Sequence, residues 1–85
     1  MNEIFTQKLL LEDNNHLKKL VGVKDQHLNL IEKKFKVRLI TGKDSIIVKG
    51  KEEDVFSVHR LLQNLLDLLT KGFVLRSRDF KFILS

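Results

Sequence analysis

The stretch Gly22–Gly50, GVKDQHLNLIEKKFKVRLITGKDSIIVKG, constrains the fold more than any other part of the chain. It places a glycine turn, a short amphipathic helix and a hairpin in immediate succession. Leu28, Ile31 and Phe35 recur at spacings of three and four, one face of a helix expected to run to about Lys34. Lys24, Lys33, Lys34 and Lys36 crowd the other side. Asp25 is the expected N-cap. Val37–Thr41 and Ile46–Lys49 are rich in β-branched and apolar residues, as strands require. Between them Gly42-Lys43-Asp44-Ser45 is a turn in which Gly42 and Asp44 are expected to adopt unusual dihedrals. Arg38 alternates with Val37 and Leu39 and so points away from them.

The flanking segments supply what a hairpin and one helix need to bury. Glu3–Leu11 is extended in character, with Phe5, Leu9 and Leu11 on one face. Asp13-Asn14-Asn15 offers capping oxygens to a short helix carrying Leu17, Leu20 and Val21, which Gly22 closes. After Gly50, the acids Glu52, Glu53 and Asp54 complement the positive end of a helix dipole. Val55, Val58, Leu62, Leu65 and Leu69 then form an apolar stripe, widened by Phe56, Leu61, Leu66 and Leu68, until Thr70-Lys71-Gly72 stops it. This long helix is expected to cover the sheet. Ser77 is the expected cap of a last short helix whose Phe80, Ile83 and Leu84 share one side and are left partly exposed at a frayed end. Those apolar side chains at the end of the chain suggest a piece of something longer.

Size and charge bound the function. A chain of 85 residues is one small domain, with little room for a deep catalytic pocket beside its core. Cysteine is absent, so neither disulfides nor thiolate metal sites stabilise it. Met1–Leu11 carries Glu3, Thr6, Gln7 and Lys8 where a secretory signal needs an apolar run, and no stretch approaches the length of a membrane span. The expectation is a cytoplasmic protein with no membrane partner. Sixteen Lys+Arg against eleven Asp+Glu give a formal net charge of +5, which suits a polyanionic partner as well as a merely solvated surface.

The order strand, helix, helix, strand, strand, helix, with a glycine turn between the first two helices, resembles a type I K-homology (KH) domain. The stretches LEDNNHLKKLVGVKDQHLNLIEKKFKVRL and KDSIIVKGKEEDVFSVHRLLQNLLDLLTKG, with RSRDFKFIL after them, are similar to the N-terminal domain of PhoH-like proteins. The resemblance implies an α+β fold, β-α-α-β-β-α, with a three-stranded antiparallel sheet covered on one face by helices. It implies a KH-like domain over residues 1–75, and over 76–85 a linker or short helix leading to a C-terminal P-loop domain. ATP and Mg would belong to that missing domain, since this chain holds no Gly-rich loop with Lys-Ser/Thr. The whole protein would then be an ATPase associated with RNA or phosphate starvation.

KH domains grip single-stranded nucleic acid with a Gly-x-x-Gly loop that lets backbone approach phosphate. The matching tetrapeptide here is Gly22-Val23-Lys24-Asp25. Asp25 replaces the second glycine and adds a Cβ and a negative charge. The candidate binding residues are Lys18, Lys19, Gly22, Val23, Lys24, Gln26, His27, Arg38 and Lys43, with the cations of the second helix and the hairpin forming one face with the loop. His27 lies beside the glycine turn, within reach of a phosphate there, although surface exposure alone also explains it. No Trp or Tyr is present for base stacking. No histidine has a partner at metal-ligand spacing, and Glu52, Glu53 and Asp54 fit capping better than acid–base catalysis. Two readings follow: an accessory module that recruits RNA or another anionic partner, or a protein-interaction module that meets its own ATPase domain or builds a homo-oligomer without touching nucleic acid. Neither makes this chain an enzyme.

Overall fold

A computed structural model describes residues 4–85, so the expected start of the first strand at Glu3 lies outside the described residues. Strand β1 (Phe5–Leu10) leads to α1 (Asn14–Val21), a single 3-10 turn (Val23–Asp25) and α2 (Gln26–Phe35). Strands β2 (Arg38–Thr41) and β3 (Ser45–Gly50) form the hairpin, followed by α3 (Glu52–Thr70) and α4 (Ser77–Leu84). The sheet is antiparallel in the order β1-β3-β2, so the second hairpin strand is central. Register runs Phe5 to Gly50 through Leu10 to Ser45 on one side of β3, and Arg38 to Lys49 through Thr41 to Ile46 on the other. This is the α+β architecture of a small KH-like domain, with α4 appended.

Strand alternation sets the core face. Leu9, Leu11, Val37, Ile46 and Val48 are buried, while Ile4, Leu10 and Ile40 stand exposed on the opposite side. The five expected stripe residues of α3, Val55, Val58, Leu62, Leu65 and Leu69, are all buried against the sheet and α1. Burying side chains of this kind contributes roughly 1.5–3 kcal/mol each. Phe56 stays half-exposed but meets Phe5 edge-to-face at a centroid distance of 5.1 Å. The end of α3 is a Schellman motif. Phe73 N–H donates to Leu68 O and Gly72 N–H to Leu69 O, both at 3.0 Å, with Gly72 at φ 93°.

The turns differ from expectation in instructive ways. Neither Gly42 nor Asp44 has positive φ; among the described residues the non-glycine ones that do are Lys24, Asp25 and Lys36. At Gly42 space is tight instead, since a Cβ there would lie 2.9 Å from Ser45 Oγ and the hydroxyl would have to turn away. Ser45 itself is a buried strand residue rather than part of the turn. Lys36 in the left-handed region ends α2 one residue later than expected, its N–H donating to Glu32 O at 3.0 Å. Glu32 also ties α2 to the edge strand, since its Oε2 accepts from Leu39 N–H at 2.8 Å. That bond satisfies an edge donor that would otherwise face solvent.

The tail is the largest departure. Ser77 is the first helical residue and not the cap; Arg76 holds that position, and its N–H donates to Asp79 Oδ2 at 2.8 Å. Phe80 is not left at a frayed end. It is 0% exposed and joins the main core, with α4 packed along α2, whereas Phe82 is 82% exposed.

Two stability outcomes follow from this packing. Leu62→Ala or Leu65→Ala should cost about 2–5 kcal/mol in a thermal or denaturant melt. Phe80→Ala should cost about 3–5 kcal/mol, whereas Phe82→Ala should stay within about 0.5 kcal/mol of the parent. Equal melts for the two Phe variants would mean that α4 does not close the core.

Candidate nucleic-acid interface at the Gly22 corner

The corner between α1 and α2 is built by a run of unusual backbone. Gly22 sits at φ 81°, ψ 174°, a region open essentially to glycine alone, and its N–H caps α1 by donating to Lys18 O at 3.0 Å. Lys24 (φ 53°, ψ 38°) and Asp25 (φ 59°, ψ 23°) follow in the left-handed region. Asp25 occupies the N-cap position of α2, but its side chain makes no capping hydrogen bond. An N-cap residue needs extended backbone to turn its carboxylate onto the first helical N–H groups. The left-handed conformation of Asp25 does not provide this. Two consecutive left-handed non-glycine residues hold strain of about 1–2 kcal/mol apiece.

His27 explains why the corner is held. The ring is only 4% exposed, against the expected surface position, so it is not presented to a phosphate. It stacks on Phe80 with centroids 4.1 Å apart and planes at 14°. Nδ1 lies 3.2 Å from Lys19 O and 3.3 Å from Leu20 O. Carbonyl oxygens only accept, so these contacts are hydrogen bonds when Nδ1 carries a proton. On the other side, a Cβ at Gly22 would stand 2.8 Å from both Cγ and Nδ1 of the ring. The four-residue spacing from His27 to Ile31 was the available signal, since it puts both on the buried face of α2.

Gly22 is a ridge between two clefts. On the α4 side, Lys18, Lys19, Val23, Gln26 and His27 line a cleft of about 620 Å³ with the segment Val74–Ser77. On the hairpin side, Leu17, Lys18 and Val21 line a smaller one of about 230 Å³ with Thr41 and Gly42. Six of the nine candidate residues therefore converge on the α4-side cleft. Lys24 is exposed on the loop itself. Arg38 is not part of this face; with Lys36 it lines a separate depression at the edge of the sheet beside Ile40 and Lys49. Lys43 is exposed at the hairpin tip. Arg76, which sequence reasoning passed over, stands on the cleft rim. The ion pairs among the described residues, Lys71–Asp67 and His16–Asp13, involve none of these cations. The described residues contain no cluster suited to a metal ion.

Gly22→Ala meets both the dihedral and the ring, and should lower stability by about 1–3 kcal/mol in a melt. Asp25→Gly should leave the melt unchanged or raise it, because glycine adopts that conformation freely. A neutral Gly22→Ala would show that the ring does not press on the turn.

No protein-family profile matches the chain. Among solved structures it is similar to a protein of unknown function from Aeropyrum pernix, with a TM-score of 0.72 and 15% identity. That likeness, over 99% of this chain and 46% of the other, is one of fold. Among curated proteins it is similar to the PhoH-like protein of Bacillus subtilis (strain 168), 38% identical over 60 residues. The match covers 71% of this chain and 19% of that relative, so the chain spans less than a fifth of the relative's length. At this identity over this share of its residues, the chain belongs to the PhoH-like family.

Proposed function

We propose that this domain recruits or orients single-stranded RNA, or a similar polyanion, for a larger PhoH-like protein. The observation that carries the reading is the Gly22–Asp25 corner: exposed, strained, fixed from beneath by His27, and flanked by Lys18, Lys19, Lys24 and Arg76, to which no carboxylate among the described residues is paired. Backbone strain collects where a loop must hold one shape for a ligand. Cations without protein partners are free to neutralise phosphates. ATP, its Mg and any hydrolysis are assigned to parts of the PhoH-like protein outside this chain, which has no Gly-rich loop with Lys-Ser/Thr to hold them. The domain acts as a binding module rather than an enzyme, and its setting is the cytoplasm. No helix among the described residues is long and apolar enough to cross a membrane.

A second reading draws on the bare side of the sheet, where Ile4, Leu10 and Ile40 are exposed. Such a face suits assembly with the ATPase domain or with further subunits. Asp25 supports this alternative, since its charge opposes an anion at the loop.

A titration with labelled single-stranded RNA at low and moderate salt separates the two. Affinity should fall steeply with salt, with Lys24→Glu weakening it about tenfold and Asp25→Gly strengthening it severalfold. An affinity that neither change moves would remove the loop from the interface. A salt-insensitive monomer–oligomer equilibrium in light scattering, with no RNA bound, would favour assembly.

A further inference from the structure

We infer that one nucleotide of a bound single strand inserts into the cleft between the Gly22 corner and the segment before α4. This inference rests on the RNA reading and names its seat. Three cations, Lys18, Lys19 and Arg76, surround this cleft, and none of its lining residues is acidic. The hairpin-side cleft has a single cation, Lys18, and about a third of the volume. Charge and size therefore both favour the α4 side.

The walls suit an apolar, flat group. Val23 and Val74 are 73% and 70% exposed, and each is a lining residue of the cleft. Together they give the cleft an apolar rim, and the surrounding cations favour an anionic occupant. A nucleotide combines the two properties, an apolar base face beside a phosphate. Gln26 is exposed in the same lining and offers both a donor and an acceptor to a base edge. The Arg76 guanidinium supplies a plane on which a base can stack, the one such surface in a cleft whose only ring, His27, is buried. The cleft exists because Phe80 draws α4 onto α2. The tail thus contributes a wall to the site instead of merely trailing from the domain.

The test is fluorescence anisotropy of the 85-residue chain with a labelled single-stranded RNA of about ten nucleotides, with circular dichroism confirming that each variant is folded. Val74→Asp and Arg76→Glu alter exposed side chains and should each weaken binding about tenfold, Arg76→Glu also lowering the salt slope by about one. Thr41→Asp and Lys43→Glu, on the hairpin side, should change affinity less than about threefold. Binding that is lost in the hairpin variants but kept in Val74→Asp and Arg76→Glu would overturn this placement and leave the RNA reading intact. Absence of binding by the parent chain would overturn both. An oligo-glutamate peptide that binds the cleft where RNA does not would assign it to an acidic protein segment, which also overturns the inference.

Discussion

A buried imidazole joins parts of this molecule that lie far apart in the chain. The His27 ring has Phe80 stacked against it, the backbone of Gly22 close by, and two carbonyls of α1 within reach of Nδ1. Each contact fixes a different element. The carbonyls orient α2 against the end of α1, the absent Cβ at position 22 lets the turn pass close to the ring, and the phenyl ring docks α4. A polar ring at 4% exposure is tolerable when Nδ1 carries the proton, since two carbonyls then accept from it; an unsatisfied donor would cost about 1–3 kcal/mol. The left-handed pair Lys24-Asp25 can persist only because both ends of the loop are held in this way.

Beneath that corner lies an ordinary frame. The stripe of α3 lies over β1 and β3, α2 reaches β2, and α1 packs against α3 and α2. A domain of this size has only a narrow margin of stability, so a strained loop needs a firm support. The frame leaves the other sheet face uncovered, and it places the cations of α1 and the pre-α4 segment around one concavity. Arg38 and Lys43 fall elsewhere because strand alternation and the hairpin tip carry them away from the loop.

The elements that could be read from sequence are those governed by a period. The heptad-like recurrence of Val55, Val58, Leu62, Leu65 and Leu69 depends only on helix geometry, and each residue is where that geometry puts it. The alternation of Phe5, Leu9 and Leu11 is of the same kind, and the Thr70-Lys71-Gly72 stop is a local signal that needs no distant partner. What could not be read depends on partners distant in sequence. Phe80 finds His27 only after the sheet and α3 have brought the tail back, so an end-of-chain phenylalanine gives no sign of its burial. Asp25 has the right side chain for a cap and the wrong backbone, and Gly42 has an ordinary φ with a crowded Cβ position. The Gly-x-x-Gly likeness picks out the loop between α1 and α2, but charge counting alone could not sort its lysines from those of the hairpin.

Membership of the PhoH-like family and a KH-like fold give the corner its context, and the physical claim about it is narrower: the ring of His27 lies between Gly22 and Phe80. A nuclear Overhauser spectrum of the labelled chain tests this directly. Cross-peaks from the His27 ring protons to both the Gly22 Hα protons and the Phe80 ring are expected, with the Gly22 Hα resonances displaced by the ring current. A His27 ring that shows neither cross-peak, in a chain whose α3 and sheet signals are intact, would contradict the account.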